Sequence, residues 1–488
     1  MAKYLSVDEA LTYGIDYALK NGADEVEGFT SRSKEIGISV EKNIPQIETG
    51  ISKGVSFRVL ANNNKGFGFT KTLTKDRIAS TIKVAIENAK GKGKDEHFQS
   101  LPQPSKKKVA AFDFDKRLEN ITSDSLAEDF ADLISVINDA KKMSYLQGQV
   151  FFAISEDHLV NSNGIDIREK SGGIGGFTSA LTTKGLIPNY SFKVTGGRTL
   201  DNFDLAELAQ ETIDLTNRVA GPKTINFQKE VPLILEPEAS AGILGGLFRL
   251  LINQLSGNVV DTGATPYSDQ VGNQIASENF TLIDNGINPS KLSSSSYDAE
   301  GVPRERTVLI EDGVLKTFLL DTYYGKKLGL ESNGKSSRAA GFGFMGDPIK
   351  TPPSISSTSI EVAPGDATKD EMIQETREGF MVRSLMGLHM SDFSSGRFSV
   401  TGFGWYIKKG EIKYPVQGID ISGKLPDLIK TIDFISKERE EMLLADCPYI
   451  RFAKVPVTAK KFDFKTRFGL VIIKILTTLG IMKHPIAG

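Results

Sequence analysis

Few residues in this chain of 488 combine types and spacing that could do chemistry. The stretch Leu233–Phe248 reads LILEPEASAGILGGLF, in which Glu236 and Glu238 flank Pro237. Two carboxylates at this spacing could act as general acid and base. They are also ordinary at a helix start, because proline suits the first helical position and an acid is favoured in the first turn. We therefore expect a buried helix at about residues 238–255, apolar on most sides.

Two short motifs match catalytic or cofactor signatures in the wrong context. Residues 50–54 read G-x-S-x-G, but a strand pattern follows where a nucleophile elbow needs a helix. Residues 341–346 read G-x-G-x-x-G, but no clear strand precedes them and prolines follow where a dinucleotide site needs a helix. We interpret the first match as a turn, and we reject a dinucleotide site at the second.

The usual ligands of a catalytic zinc are scarce. The chain has four histidines, His97, His158, His389 and His484, and one cysteine, Cys447. A catalytic zinc needs three protein ligands and an open position, and no predicted helix carries a histidine pair at metal-binding spacing. We expect structural or surface roles for the histidines and a packing role for Cys447. A metal site built from scattered residues, with His158 and His389 as candidates, remains an alternative.

The composition narrows the class of protein. Lys and Arg number 59 against 61 Asp and Glu, for a net charge of −2, which argues against a nucleic-acid partner. A single cysteine excludes an internal disulfide and fits a reducing compartment. The N-terminus lacks an apolar signal-peptide core, and the apolar stretch at residues 468–481 is too short to span a bilayer. We expect a soluble cytoplasmic protein.

The periodicity of the rest of the chain predicts an α+β fold: two helix and antiparallel-hairpin N-terminal modules followed by a larger strand-rich C-terminal domain. Residues 1–100 form the first module, whose first helix begins with a capping box of Ser6 and Glu9. Residues 111–222 form the second module, with a hairpin turn at Asn163-Gly164.

The C-terminal domain is predicted to span residues 228–458 and to contain a helix at about Leu425–Glu441. Residues 459–488 form a basic and apolar extension. A basic flank beside an apolar stretch could lie on a membrane surface, but packing on the body or docking on a partner is the favoured interpretation.

Several segments in the right order resemble the TldD/PmbA (TldE) family, whose members are also named modulators of DNA gyrase. The likeness spans roughly residues 5–458. The segments that carry it are Gly54–Val59, Lys65–Gly68, Ser256–Gly257, Asp261–Gly272, Ser296–Pro303, Arg306–Leu315, Thr322–Tyr324, Glu331–Gly334, Gly410–Ile412, Tyr414–Val416 and Ile421–Gly423.

The resemblance implies a cytoplasmic metallopeptidase in which a zinc-bearing TldD subunit pairs with a TldE (PmbA) subunit to process or degrade unfolded peptides. TldD-type subunits carry an HExxxH element on a helix after a short apolar strand. Pro237, Glu238 and Gly242 occupy the positions of its first His, its Glu and its second His. Only the acid is retained, so the resemblance implies a TldE-type subunit with no catalytic residue and no metal ligand. Cys447 lies in a final strand segment, Asp446–Val457, and does not take the family's cysteine-ligand role.

We therefore predict a non-zinc subunit that completes a peptide chamber beside a TldD-like partner, which would supply the zinc. Unfolded peptide would bind by strand addition, with Gly172–Phe177 and Gly402–Trp405 as candidate edge strands. Two alternatives stay open: a non-catalytic homodimeric peptide-binding or scaffold protein, and an independent metallopeptidase with a non-standard metal site.

Overall fold

The computed structural model describes residues 3–41, 44–97, 100–243, 245–338 and 347–461. The predicted G-x-G-x-x-G motif, His484 and most of the 459–488 extension lie outside the described residues. The first part of the chain contains α1 (Val7–Lys20), β1 (Glu25–Glu41), β2 (Ile44–Ala61), β3 (Asn64–Thr70), α2 (Lys75–Gly91), α3 (Ser123–Asp139), β4 (Met143–Asn161), β5 (Asp166–Thr182), β6 (Asn189–Gly197) and α4 (Leu205–Arg218).

The second part is rich in strands, as predicted. It contains β7 (Phe227–Leu235), α5 (Pro237–Ala241), α6 (Phe248–Gln254), α7 (Gly257–Asp261), β8 (Leu282–Asn285), β9 (Arg306–Glu311), β10 (Val314–Leu315), α8 (Thr322–Lys327), β11 (Ser336–Ser337), β12 (Ser354–Ile355), β13 (Ile360–Val362), α9 (Lys369–Gln374), β14 (Glu378–Met386), β15 (Arg397–Lys408), β16 (Glu411–Lys424), α10 (Leu425–Leu428), β17 (Ile432–Met442) and β18 (Ala445–Ala459).

The strands of the first part form one antiparallel sheet in the order β3-β2-β1-β4-β5-β6. Long β1 pairs with both β2 and β4, so strands from both predicted N-terminal modules share this sheet. Alternate residues point to opposite faces of a strand. On one face Val26 and Phe57 pack under α1 and α2, while Ile36 and Ile38 pack under α3 and α4. The other face is turned toward the second part of the chain.

Local signals place the start of α1 and the β4–β5 hairpin turn where the sequence predicts them. The Ser6 hydroxyl accepts from the Glu9 N–H at 3.1 Å, and the Glu9 carboxylate accepts from the Ser6 N–H at 2.7 Å. The predicted capping box is thus confirmed. Gly164 turns the β4–β5 hairpin with φ of 97°, a backbone conformation that glycine adopts at no steric cost.

Five strands of the second part close into a ring. β7 pairs with both β14 and β18, and the path β14-β15-β16-β18 completes the circle. The β16–β18 pairing that closes the ring is short, with Asp420 and Ile421 opposite Thr458 and Val457. The main core of the molecule lies here, with Phe248, Phe280 and Phe380 fully buried.

Three local predictions are wrong. Residues 50–54 lie inside β2 and form no turn. The predicted helix at Leu425–Glu441 is the short α10 followed by strand β17, because Ile432 and Ile435 are buried in pairing with β18. The two proposed edge segments are both interior: Gly172–Phe177 lies in β5 between β4 and β6, and Gly402–Trp405 lies in β15 between β14 and β16.

A buried ion-pair network joins the two parts of the molecule. Arg58 of β2 bonds Glu27 of β1 at 2.5 Å and also Glu300 of the second part. Arg338, also from the second part, bonds the other Glu27 oxygen at 2.5 Å. All four side chains are at most 5% exposed. Each charge has an opposite charge at hydrogen-bonding distance, as buried ions require. Within the described residues no helix is long and apolar enough to cross a membrane.

Candidate functional site

The candidate site is built where β7 leaves the ring and α5 begins. The chain exits β7 at Leu235, and the Glu236 N–H donates to the Val382 carbonyl of β14 at 2.8 Å. Glu236 is the N-cap residue and Pro237 the first residue of α5, as the sequence predicts. This junction places Glu236 and Glu238 beside β14, one of the strands of the ring.

Glu236 is the centre of a buried charge cluster. It is 1% exposed and bonds Arg383 of β14 at 3.3 Å and Arg218 of α4 at 3.2 Å. Arg383 also approaches Glu440 of β17 at 3.7 Å, and the Tyr449 hydroxyl donates to Glu440 at 3.2 Å. Residues from four distant segments of the chain therefore converge beside α5.

Burial sets the protonation chemistry of the cluster. Burial raises the pKa of Glu236, an effect that Arg383 and Arg218 oppose. Burial also raises the pKa of Glu238. The charge of Arg383 lowers this pKa, and the charge of Glu440 raises it further. Burial lowers the pKa of the Arg383 guanidinium, but the carboxylates of Glu236 and Glu440 raise it by more, so the pKa is raised overall. Arg383 is therefore a fixed cation among carboxylates.

Glu238 takes the space that a side chain at position 242 would need. A Cβ at Gly242 would lie 2.2 Å from Glu238 Oε1 and 2.4 Å from the Glu238 backbone oxygen. Atoms cannot approach so closely, so any larger residue at Gly242 would displace both the carboxylate and the backbone. Among the described residues the Glu238 side chain has no hydrogen-bond or ion-pair partner.

The predicted helix at 238–255 is two short helices with a break between them. α5 ends at Ala241 and α6 begins at Phe248. Glycine lowers helix propensity, and here it also allows close backbone contact. A Cβ at Gly246 would lie 2.5 Å from the Gly242 nitrogen, and one at Gly245 would lie 2.5 Å from the Leu385 carbonyl oxygen. The predicted burial of this segment is confirmed, since Phe248 and Leu251 are inaccessible to solvent.

Two cavities meet at Glu238 and Arg383, which line both. The larger, of about 620 Å³, is the more polar, with charged residues of α4, β6 and β17 in its wall. The smaller, of about 370 Å³, is more apolar, with Tyr190, Leu385 and Phe403 in its wall. Strand β6 borders both cavities and pairs only with β5 among the described strands. An open strand edge thus runs past the charge cluster.

The remaining sequence candidates are not drawn into one metal centre. His158 of β4 contacts Asp8 and Asp166 at 3.1 and 2.8 Å in the N-terminal sheet, whereas His389 lines the smaller cavity. Cys447 is fully buried in the main core, and burial raises the pKa of its thiol. In the ranges that the structure describes, no group of three or more His, Cys, Asp or Glu is placed to hold a metal ion.

Sequence reasoning missed Arg383, Arg218 and Glu440. One signal for Arg383 was present, because it interrupts the apolar run Phe380–Val382 of a central strand. A buried charge needs a partner, so a charged residue in such a strand indicates a paired site. The identity of the partners is set by the fold and has no local signature.

Two family descriptions match the chain. PmbA/TldA metallopeptidase domain 1 matches residues 26–89, and the PmbA/TldA metallopeptidase C-terminal domain matches residues 228–459. Together they cover more than half of the sequence.

Relatives match over most of their length. The metalloprotease PmbA of Escherichia coli O157:H7 is 22% identical over 483 residues, covering 93% of this chain and 96% of that one. A metalloprotease of Methanothermobacter thermautotrophicus is 26% identical over 430 residues, covering 85% and 88%. The zinc metalloprotease TldD homolog of Saccharolobus solfataricus is 25% identical over 417 residues, covering 82% and 86%.

The residues at the candidate site do not fit the zinc that the name of the last relative implies. A catalytic zinc takes three side-chain ligands of nitrogen, sulfur or oxygen. Pro237 and Gly242 offer none, the Gly242 side-chain space is filled by Glu238, and the neighbouring cation is the guanidinium of Arg383.

Solved structures share the whole architecture. TldE from Thermococcus kodakarensis superposes with a TM-score of 0.80 at 27% identity, covering 92% of this chain and all of that one. A Thermotoga maritima protein has the same TM-score at 20% identity and shows the same fold. With the two matching domains and the full-length relatives, these findings establish that the chain belongs to the PmbA/TldD metalloprotease family.

Proposed function

We propose that this chain is the non-zinc, TldE-type subunit of a cytoplasmic heterodimeric metalloprotease. The observation that carries the proposal is the junction of β7 and α5, where the Glu238 carboxylate fills the side-chain space of Gly242. The likeness to TldE from Thermococcus kodakarensis supports the same assignment. A TldD-type partner would supply the zinc, and this chain would supply a wall of the peptide chamber.

An unfolded peptide fits the surroundings of the cluster. The free edge of β6 offers backbone groups for strand addition, which binds peptides with little dependence on sequence. The two cavities beside β6 differ in polarity, so alternate side chains of an added strand would enter charged or apolar surroundings. Glu238 and Arg383 lie where the two cavities meet, and the Glu238 carboxyl group and the Arg383 cation would orient the peptide.

The test compares the purified chain alone with the chain co-purified with a TldD-type paralogue from the same cells. We expect hydrolysis of an unfolded peptide only in the complex. A peptide of the same sequence with alternate backbone amides methylated should compete at least about tenfold more weakly, because it cannot complete the strand ladder. Full peptidase activity in the lone chain would contradict the proposal.

Native mass spectrometry of the complex isolated from its own cells gives a second reading. A heterodimer is expected. A homodimer without a zinc-bearing partner would instead support the non-catalytic scaffold alternative.

A further inference from the structure

A third cavity, separate from the two at the candidate site, lies between the N-terminal sheet and the second part of the chain. Its volume is about 350 Å³, and it shares no lining residue with the other two. Pockets of this size hold small ligands. One wall is the open face of β1, β4 and β5, and the opposite wall is the serine-rich loop at 292–299 together with Arg304 and Arg338.

The cavity has cations on one side. Arg198 and Arg304 are 7% and 8% exposed, and neither pairs with a carboxylate among the described residues. The guanidinium of Arg198 donates to the Ser294 carbonyl, and that of Arg304 donates to Ser295 Oγ and to two backbone carbonyls. Buried guanidinium groups are stabilised by a bidentate carboxylate. The other N–H groups of the Arg198 guanidinium could therefore donate hydrogen bonds to a ligand.

Two carboxylates project from the sheet wall of the cavity. Asp157 of β4 and Glu169 of β5 face each other across the strand pair and line the cavity. Within the part of the chain that the structure describes, Asp157 Oδ1 is a buried acceptor that receives no hydrogen bond. The Ser294 hydroxyl and Arg338 Nε, both on the opposite wall, are buried and equally unpartnered. Ser294 and Arg338 are 2% and 5% exposed.

Unsatisfied donors on one wall and an unsatisfied carboxylate oxygen on the other fit a ligand that both accepts and donates hydrogen bonds. Buried polar groups are nearly always hydrogen-bonded, so orphaned groups around one cavity indicate that something polar binds there. Four carboxylates line the cavity beside three guanidinium groups, which disfavours a purely anionic ligand; they are Glu35, Asp157, Glu169, Asp298, Arg198, Arg304 and Arg338. Ser31, Ser155 and Ser171 add hydroxyls along the sheet wall.

We propose that this cavity binds a short zwitterionic peptide of two or three small residues. Its α-carboxylate is held by Arg198 and Arg304, and its α-ammonium group is held by Asp157 and Glu169. The inference rests on this cavity alone and does not depend on the role assigned to Glu238 and Arg383. It adds to the family fold a site for free peptide termini.

The test is calorimetric titration of the full chain with trialanine, N-acetyl-trialanine and trialanine amide. We expect saturable binding of trialanine and binding of each capped form that is at least about tenfold weaker. Asp157→Asn should weaken trialanine binding about tenfold while leaving the affinity for N-acetyl-trialanine unchanged. Arg198→Gln should likewise weaken trialanine binding, but it should leave the affinity for trialanine amide unchanged.

Glu156→Gln is the matched control, because Glu156 neighbours Asp157 on β4 but points to the other face and pairs with exposed Lys170. It should bind trialanine like the unmodified chain. Ser31→Val places a larger apolar side chain in the cavity, across the strand pair from Asp157, and removes no charge. It replaces Asp157→Asn in the test if that variant does not fold. Failure of the unmodified chain to bind trialanine, or equal affinity of Asp157→Asn and Glu156→Gln, would show a cavity that holds only water and would overturn the proposal.

Discussion

At the residue scale, the charge cluster around Glu236 is satisfied by the chain itself. Arg383 and Arg218 both bond Glu236, and Tyr449 bonds Glu440. A buried ion pair of this kind is not an efficient source of stability, but removal of one partner leaves an uncompensated charge. Glu238 differs from Glu236 because its carboxylate lies against Gly242 without a described partner. It is the member of the cluster that a ligand could engage.

Replacement of Glu238 by glutamine should stabilise the protein at alkaline pH. Burial raises the folded-state pKa of Glu238 above its unfolded value. Stability linked to the protonated acid is complete below the unfolded pKa and is lost as the pH rises through the folded pKa. Glu238→Gln removes this loss, so its melting temperature should exceed that of the unmodified chain at pH 8, and the difference should shrink toward pH 5.

The control is Glu207→Gln, which changes an exposed residue of the same large cavity. Its melting temperature should follow that of the unmodified chain at both pH values. A Glu238→Gln variant that melts below the unmodified chain at pH 8 would mean that the ionised carboxylate is stabilised by a partner.

At the element scale, the junction of β7 and α5 shows how far local sequence determines structure. The α1 capping box and the hairpin turns depend on neighbouring residues, so the sequence predicts them correctly. Strand β17 depends on pairing with β18, and the break between α5 and α6 depends on contacts of Gly245 with Leu385 in β14. Such contacts override intrinsic propensity, which is why these segments were predicted as helix.

Restoring two histidines should not restore a zinc site. In the variant Pro237→His with Gly242→His, position 242 still lies beyond the end of α5 at Ala241. The new side chain also meets the Glu238 carboxylate and backbone. We expect no stoichiometric zinc by elemental analysis after dialysis against zinc, while a TldD-type chain treated identically retains it. Tight zinc binding by the double variant would mean that only the ligands, and not the space for them, had been lost.

At the scale of the whole molecule, buried charges join the two parts of the chain. The Glu27, Arg58, Glu300 and Arg338 network lies at this junction. The cluster at the candidate site also combines residues separated by up to about half of the chain. Neither set has a local sequence pattern, so the sequence could draw attention to Pro237, Glu238 and Gly242 but not to the arginines near them.

Glu27→Gln should destabilise the junction strongly. It leaves Arg58 and Arg338 buried with one carboxylate between them, and breaking a buried pair costs about 3–5 kcal/mol. Differential scanning calorimetry should show a lower melting temperature for both parts. Asp201→Asn, which removes one partner of Arg117 at the surface, is the control and should change the melting temperature far less. Equal effects of the two variants would mean that the junction contributes no more than a surface pair.

The zinc content of the purified chain, measured together with its peptidase activity, is the most direct test of whether this chain is a non-zinc subunit. The chain should be purified alone and in complex with a TldD-type paralogue, and both should be assayed on the same unfolded peptide. We expect no stoichiometric zinc and no hydrolysis for the chain alone, and we expect zinc together with hydrolysis for the complex. Stoichiometric zinc and full activity in the lone chain would contradict this expectation.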